Sequence, residues 1–356
     1  MSGSLVSGLS PALIDTALTY VGLAVALIAL ELMYFRIAGR FNIIDQTNSR
    51  SSHTSVTIRG GGVIFLFAVW LWCALDLLTP WSNARDGAQA DGYLWFVAGM
   101  TAVSVVSLID DIRFVSIRVR LLVQFAAMMC CFVQVGLWTA DCWWVIPPAL
   151  VVAVGVVNAY NFMDGINGIT GGYSLAVLLP LCCLNARMGF VDEMLLGVAV
   201  VSALVFCFFN FRSRARCFAG DVGSIGMAFI VIFVLGRLMM HTGDVSYLVL
   251  LLIYGVDTVL TIVHRIMLRE NLGQAHRKHA FQLMANELKM PHTLVSSLYM
   301  LMQMAVSFGF VYLCPDTPAA HWTYFALAAL LFGLLYIAFM RRYYHLHERY
   351  LASQAR

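Results

Sequence analysis

Long apolar stretches, separated by short polar connectors, run along almost the whole chain. Several of them approach or exceed the roughly 20 residues that a helix needs to span a bilayer. We recognise about eleven and predict a transmembrane helix in each. They cover about residues 12–35, 61–79, 93–109, 119–137, 143–160, 170–186, 193–211, 225–241, 247–263, 292–313 and 322–340. The pattern therefore predicts an all-α integral membrane protein, with residues 1–356 forming a single polytopic domain.

The positions of the basic residues predict how these helices are oriented. If successive connectors alternate between two sides, 19 of the 22 Lys and Arg residues fall on the same side. The exceptions are Arg85, Arg187 and Arg237. Because basic loops are retained in the cytoplasm, the N-terminus is expected outside and the C-terminus inside.

Composition supports the membrane assignment and excludes one class of partner. The chain is 61% hydrophobic and only 12% charged, whereas soluble proteins carry roughly a quarter charged residues. A net charge of +3 spread over many loops does not make a nucleic-acid surface, so no nucleic acid is expected to bind.

Nearly every polar cluster lies in five connectors on the basic side. These connectors are about residues 36–60, 110–118, 158–170, 212–224 and 264–291. The opposite loops carry no comparable set, so we expect the chemistry at one membrane face and not along a path across the bilayer.

Two adjacent carboxylates, Asp110 and Asp111, end one of the apolar stretches. Neighbouring anions at a low-dielectric boundary are costly unless a cation lies close by. Side chains of successive helical residues point about 100° apart, so each is expected to have its own partner. One would face a metal or a reacting phosphate, and the other an arginine among Arg113, Arg118 and Arg120. A solvated helix end with salt bridges is the alternative.

The stretch "NAYNFMDGING" repeats polar residues at intervals of three, with Asn158, Asn161 and Asp164 on one side of a helix end. Gly165 and Gly168 then allow the backbone to turn and approach a ligand closely. Carboxylate and amide oxygens suit a hard cation such as Mg²⁺ that also binds substrate phosphates. Polar contacts between transmembrane helices are the alternative.

In "FAGDVGS", Asp221 stands between two glycines just before an apolar stretch. We expect a loop whose free amides also meet phosphate. Phe218, three residues earlier, has the flat ring needed to stack on a base. A plain turn, with Phe218 packed at the interface, would explain the same residues.

The stretch "AHRKHAFQ" places four cationic or protonatable residues in a row, His276, Arg277, Lys278 and His279. Such a cluster suits a pyrophosphate, which arginine grips with two hydrogen bonds. A zinc site would need a supporting third ligand, and none stands at a suitable spacing. A patch for lipid headgroups is the alternative.

The first basic connector, "RSSHTSVTIRGGG", contains Arg50, His53 and Arg59 ahead of a glycine triplet. A glycine triplet at a helix start exposes backbone amides to an anion, or else it forms a loose loop leading into the membrane.

One carboxylate, Asp257, lies inside an apolar stretch. Ionisable groups within a membrane span are costly, so Asp257 is a functional candidate, paired with Arg265 or with another helix. A purely structural ion pair explains it equally well.

The order of these motifs, DD, NxxNxxDGxNG, GDxGS and HRxH, resembles the polyprenyl-phosphate N-acetylhexosamine-1-phosphate transferases. This superfamily, glycosyltransferase family 4, includes the peptidoglycan phospho-MurNAc-pentapeptide translocase. The first loop and the histidine loop look most like the bacterial branch that initiates O-antigen and related glycans. The likeness spans roughly residues 36–285.

The resemblance implies transfer of a sugar 1-phosphate from a UDP-N-acetylhexosamine to undecaprenyl phosphate, with release of UMP. GlcNAc, FucNAc and QuiNAc donors all remain open. Mg²⁺ would be the cofactor, with Mn²⁺ able to substitute. Asp221 and Asn161 would be the metal ligands, while Asp110 and Asp111 would orient or deprotonate the lipid phosphate. Arg120 would lie near that phosphate.

Other residues are implied to contact the donor. Asp164, Asn167 and Phe218 would line a uridine pocket. His276, Arg277 and His279 would hold the pyrophosphate or the sugar. The residues expected to be catalytic are Asp110, Asp111, Asp221, His276 and His279. The remaining residues expected to bind substrate are Asn158, Arg59 and His53.

Three departures from the family pattern matter. Asn167 stands where many bacterial members have Asp, which disfavours a second acidic metal ligand there. Arg277 and Lys278 replace consecutive histidines, which argues against a muramoyl-pentapeptide substrate. Val56 and Ile58 stand where relatives usually have prolines, which loosens the first loop.

Two alternatives remain open at this point. A covalent aspartyl-phosphate intermediate competes with direct displacement by the lipid phosphate. A nucleotide-sugar or ion-coupled secondary transporter would use Asp257, Asp110 and Asp111 as an ion path, although transporters usually bind near the midplane and show repeated halves. We expect a multi-pass protein of the bacterial inner membrane, surrounded by membrane lipids, and leave a homodimer open.

Overall fold

The computed structural model describes residues 11–45, 57–78, 92–139, 143–271, 274 and 276–354. These residues are almost entirely helical, with one short hairpin in which Ile44 of β1 (Ile44–Asp45) faces Ile58 of β2 (Thr57–Ile58). The helices are α1 (Pro11–Arg40), α2 (Ile64–Leu78), α3 (Leu94–Ile112), α4 (Ile117–Val135), α5 (Ile146–Met163), α6 (Ile169–Met188), α7 (Glu193–Asn210), α8 (Gly220–Thr242), α9 (Leu252–Met267), α10 (Ala280–Asn286), α11 (His292–Leu313) and α12 (Pro318–Gln354).

The helices confirm an all-α integral membrane protein that crosses the bilayer many times. Among the described residues, ten helices are long and apolar enough to span a membrane. A shorter apolar helix over Gly61–Leu75 corresponds to the second predicted stretch. The orientation of the helices in the membrane stays a prediction.

Three elements differ from the sequence prediction. Helix α12 continues to Gln354, well past residue 340, because the polar segment after its apolar stretch packs against α10 through His347 Nδ1, 2.9 Å from Glu287 Oε1. Helix α10 itself lies in a connector predicted as a loop. Helix α8 begins at Gly220, so Asp221 belongs to its first turn and not to the loop before it.

Helices α6 and α8 form the centre of the bundle. In their most apolar windows, 72% and 78% of residues are buried, against 22% for α1. The high buried fraction of these two helices shows that other helices surround them, whereas α1 lies at the edge of the bundle. The first turn of α8, with Asp221, therefore lies in the middle of one end of the bundle.

Connectors from distant parts of the sequence meet at that end. Short links between α3 and α4 and between α5 and α6 bring their ends to the same side as the start of α8. Contacts between Asp110 and Arg120, and between Asn161 and Asp221, join these ends directly.

Candidate active site

Asp221 is the centre of the polar cluster. Its Oδ1 accepts a hydrogen bond from Asn161 Nδ2 at 3.0 Å, and the same nitrogen donates to Ser224 Oγ at 3.1 Å. Both contacts use Nδ2, so the amide oxygen of Asn161 has no partner among the described residues. The two residues expected to bind a metal therefore come together from the ends of two different helices, α5 and α8.

Two arginines bridge three carboxylates around Asp221. Arg59 Nε lies 2.7 Å from Asp111 Oδ1, and its Nη2 lies 3.5 Å from Asp221 Oδ1. Arg120 Nη1 lies 2.7 Å from Asp110 Oδ2, and its Nη2 lies 3.1 Å from Asp221 Oδ2. Burial lowers the pKa of Arg59, but Asp111 and Asp221 outweigh it and raise this pKa above its ordinary value. With all five groups ionised, one negative charge of the cluster is left uncompensated.

The two adjacent aspartates have different partners, as predicted. Asp110 pairs with Arg120, and its Oδ1 also accepts from Val115 N at 2.7 Å. Asp111 accepts from the backbone amides of Asp221 and Val222, both at 3.0 Å, and so caps the start of α8. The expectation that these amides are free to meet phosphate was wrong, because a fully buried carboxylate already occupies them.

The glycine triplet of the first connector packs against α8 and does not present its amides to an anion. Gly61 N donates to Phe218 O at 2.9 Å and Gly62 N to Ala219 O at 3.0 Å. Gly62 also lies directly on Gly223, where a Cβ on Gly223 would come within 2.6 Å of Gly62 Cα. The segment therefore forms neither of the two predicted structures, an anion-binding loop or a loose loop. Instead, its backbone packs closely against the backbone of α8.

A cavity of about 390 Å³ opens beside this cluster. Its polar lining residues are Arg120, Gln124, Asn158, Asn161, Gln274, His276 and His279. Ile117, Leu121 and Phe162 form an apolar wall, and their side chains are exposed. The cavity can therefore receive a charged group on one side and a hydrocarbon chain on the other.

The residues predicted to form a uridine pocket lie outside this cavity. Asn167 Nδ2 donates to Arg212 O at 2.9 Å, and Asp164 accepts from Thr170 Oγ1 at 2.6 Å. Both support the connector between α5 and α6. Burial raises the pKa of Asp164 to about 7. Phe218 contributes backbone contacts to the hairpin, so a uridine role for these residues stays a prediction.

Two of the four cationic residues of the histidine loop face the cavity. His276 and His279 line it, whereas Lys278 pairs with Glu270, and Arg277 Nη1 lies 3.3 Å from the hydroxyl of Tyr350 in α12. Burial and the nearby positive charge of His279 lower the pKa of His276 to about 3, so its ring is neutral at physiological pH. Two of the four residues therefore line the cavity, and a role of the cluster in holding a pyrophosphate stays a prediction.

Asp257 pairs with His279, whose Nδ1 lies 3.1 Å from its Oδ1. The expected partner Arg265 instead binds Glu270 at 3.2 Å and the backbone carbonyl of Asn271 at 2.7 Å. Of the two partners predicted for Asp257, Arg265 or another helix, the second is found, with Ala280 N of α10 and Tyr299 OH of α11 also donating to it. The side chain of Arg265 closes the connector that follows α9. His53 and Arg50 lie outside the described residues.

Sequence reasoning missed Gln124, which lies one helical turn beyond Arg120 and accepts from Asn158 Nδ2 at 3.3 Å. A single amide within an apolar helix was the available signal. Sequence reasoning also missed the apolar wall, because exposed Leu, Ile and Phe look the same wherever a helix meets lipid.

The donor set fits a magnesium ion that shares its ligands with a substrate. Among the described residues, no three His, Cys, Asp or Glu side chains converge as a complete metal site. Asp221 and Asn161 supply one carboxylate and one amide oxygen, beside the uncompensated negative charge. Mg²⁺ is usually bound in this way, by one or two carboxylates together with substrate phosphates and water.

Fold and site together define a polytopic membrane protein whose carboxylates, arginines and histidines converge at one end of a helix bundle. A model described as glycosyl transferase family 4 matches residues 93–239. The protein named "Probable undecaprenyl-phosphate N-acetylglucosaminyl 1-phosphate transferase" from Bacillus subtilis is 26% identical over 68% of this chain and 70% of its own length.

Two further relatives agree with this match. A decaprenyl-phosphate N-acetylglucosaminephosphotransferase from Mycobacterium leprae is 28% identical over 58% of each chain. A phospho-N-acetylmuramoyl-pentapeptide-transferase from Deinococcus radiodurans is 35% identical, but over only 32% of each chain. The chain is therefore similar to polyprenyl-phosphate N-acetylhexosamine-1-phosphate transferases, and its residues 93–239 match the glycosyl transferase family 4 model.

Proposed function

We propose that this protein transfers a sugar 1-phosphate from a UDP-N-acetylhexosamine to undecaprenyl phosphate and releases UMP. The observation that carries the proposal is the contact of Asn161 with Asp221, 3.0 Å apart, beside a cavity with one apolar and one basic wall. A polyprenyl phosphate has the matching character, a hydrocarbon chain with a charged end.

Asp221 and Asn161 would hold Mg²⁺, or Mn²⁺ in its place. The bound ion would neutralise the donor's diphosphate and stabilise the leaving UMP, an effect worth several kcal/mol in comparable sites. Arg120 would turn from Asp221 towards the acceptor phosphate while Asp110 keeps one arm of its guanidinium in place.

The arrangement favours direct displacement. An oxygen of the lipid phosphate would attack the β-phosphorus of the donor, and the bond from that phosphorus to the bridging oxygen would break as UMP leaves. Asp111 is poorly placed as a nucleophile, because Arg59 and two backbone amides occupy its fully buried carboxylate. Asp110 would orient the acceptor phosphate or accept its proton, since it is the more exposed of the pair.

The donor sugar and the cellular setting complete the proposal. Two of the relatives described above carry N-acetylglucosamine in their names, so GlcNAc is the first donor to test, followed by FucNAc and QuiNAc. The protein would lie in a bacterial inner membrane with the site at the cytoplasmic face, where it would initiate O-antigen or another surface glycan.

The test uses the full chain purified in lipid nanodiscs, undecaprenyl phosphate and a panel of UDP-sugars. Mass spectrometry of the lipid product identifies the sugar, and UMP release gives the rate. Asp221→Asn is expected to lower Mg²⁺-dependent UMP release by at least about a thousandfold. Asp316→Asn is the matched control, because that carboxylate is 91% exposed at the opposite end of the bundle.

Three outcomes would contradict the proposal or part of it. Full activity of Asp221→Asn would remove this residue from the metal site. Counterflow of a nucleotide sugar into vesicles without any lipid-linked product would favour the transporter. A phosphosugar covalently attached to the enzyme in the absence of acceptor would overturn direct displacement.

A further inference from the structure

Asp257 is a buried carboxylate of α9 that accepts hydrogen bonds from several elements. Its side chain is 3% exposed, and five donors surround its two oxygens. These donors are His279 Nδ1, Ala280 N and Thr261 Oγ1 at 3.1, 3.1 and 3.2 Å from Oδ1, and Tyr299 OH and Phe281 N at 2.6 and 3.5 Å from Oδ2. The carboxylate thus joins α9, α10 and α11 beside the cavity.

The contact with Asp257 leaves one nitrogen of His279 without a partner. A carboxylate accepts hydrogen bonds, so Nδ1 carries hydrogen and the ring is fixed in one orientation. The ring also stacks on Phe281, with centroids 5.7 Å apart. Nε2, on the far side of the ring, is buried and has no partner among the described residues, although His279 lines the cavity.

The positive charges nearby do not compete for Asp257. Lys278 and Arg265 both pair with Glu270. His276, whose ring lies 5.0 Å from that of His279, has a pKa lowered to about 3 and is neutral at physiological pH. Among the described residues, Asp257 is therefore the counter-charge available to His279.

We propose that Asp257 is a positioning residue that holds His279 with Nε2 directed at the diphosphate of the donor. The inference rests on the proposed function and deepens it. Asp257 fixes the ring through Nδ1, and its negative charge stabilises the protonated ring when Nε2–H donates to a phosphate oxygen. His279 binds through a hydrogen bond and transfers no proton in this role.

A simpler structural role would also follow from these contacts, because Asp257 accepts from the first amides of α10. A double-mutant cycle separates the two, since residues that act through one another are not additive. The variants are Asp257→Asn, His279→Ala and their combination, each in nanodiscs, with kcat/KM for the UDP-sugar as the readout.

Asp257→Asn alone is expected to lower kcat/KM by about 10- to 100-fold, the usual cost of losing the residue that orients a functional histidine. In the His279→Ala background the same substitution should cause less than about a twofold further loss. An equal loss in both backgrounds would overturn the proposal, because Asp257 would then act independently of His279. Full activity of Asp257→Asn would also overturn it.

Two more variants keep the proposal testable if Asp257→Asn does not fold. His279→Asn retains a donor near the position of Nδ1 but has nothing at Nε2, so it should melt like the wild type and lose activity as His279→Ala does. Wild-type activity of His279→Asn would refute the role of Nε2.

Tyr299→Phe is the matched control, since it removes a hydrogen bond to Asp257 and leaves His279 in place. Its melting temperature should fall while kcat/KM stays within about twofold of wild type. A loss of kcat/KM as large as that of Asp257→Asn would mean that packing alone explains the effect. A wild-type protein that forms no lipid-linked product would contradict the proposed function itself, whatever the variants show.

Discussion

Replacing Gly62 with alanine tests whether the contact between the first connector and α8 holds the site together. A Cβ on Gly62 would lie 2.8 Å from Ala219 O and Gly223 N, and closer still to Gly223 Cα. Ordinary contacts begin at 3.4 Å, and the approach to Gly223 Cα is the shortest, so α8 or the connector must move by about 1 Å. The neighbours are backbone atoms, which cannot turn aside as a flexible side chain does.

The cost follows from two terms. Overpacking against backbone typically costs 1–3 kcal/mol, and the hydrogen bonds from Gly61 N and Gly62 N contribute about 1 kcal/mol each. Gly62→Ala should therefore lose about 3–5 kcal/mol of stability. A shift approaching 1 Å at the start of α8 also moves Asp221 relative to Asn161, so transferase activity should fall by about a hundredfold.

The loss of stability is measured by thermal melting in detergent, with the fraction of protein that stays monodisperse after heating as the readout. The loss of transferase activity is measured by UMP release. Gly155→Ala is the matched control, because this glycine lies inside helix α5 with no atom within 4 Å of an added Cβ. It should be neutral or stabilise by up to about 1 kcal/mol. If Gly62→Ala melts and reacts like Gly155→Ala, the contact with Gly223 does not position the site.

Three further predictions concern single side chains. Burial raises the pKa of Asp164 to about 7 in the folded protein, against an ordinary value of 3.8 in the unfolded chain. The protonated carboxyl group therefore contributes its full stability below pH 3.8, and this contribution is lost as the pH rises through 7. Asp164→Asn should therefore flatten the dependence of melting temperature on pH, and an unchanged slope would contradict this. Arg120→Lys should lower kcat/KM for undecaprenyl phosphate by at least about tenfold, because one ammonium cannot bridge two carboxylates, whereas the exposed Arg118→Lys should have no effect. The sequence predicts that Arg277 holds the donor's pyrophosphate, and the ring of Tyr350 lies 5.1 Å from its guanidinium carbon. If Arg277 has that role, Tyr350→Ala should raise KM for the UDP-sugar by about two- to tenfold. Equal KM values for Tyr350→Ala and Tyr350→Phe would show that the ring contact is unimportant.

The transmembrane helices could be predicted because burial in lipid leaves a direct mark on the sequence. The eleven apolar stretches correspond to ten spanning helices and one shorter helix. The end of α12 could not be predicted in this way, since residues 341–354 are rich in charged and polar residues and contact α10 and the histidine loop through His347 and Tyr350. Hydropathy finds the part of a helix that contacts lipid, but not its continuation outside the membrane.

The composition of the site was predictable, whereas the partners of its residues were not. Asn161 and Asp221 are 60 residues apart, yet both stand out as polar residues at the end of an apolar stretch. The pairing of Asp257 with His279 depends on how the connector after α9 folds back, and sequence spacing contains no information about that. Asp164 and Asn167 likewise share a motif with Asn161 but lie outside the cavity that Asn161 lines.

Asp111 and Asp221 show how this end of the bundle separates support from chemistry. Asp111 is fully buried and spends both oxygens on Arg59 and on the amides that begin α8, so its charge fixes the position of the helix that carries Asp221. Asp221 is 14% exposed and receives only side chains, Asn161 and two arginines, each of which can move aside for a cation or a phosphate. A carboxylate held by backbone amides cannot exchange its partners without unfolding a helix end, whereas one held by side chains can. Of these two residues, Asp221 is therefore the one whose partners can change, as the proposed metal site requires.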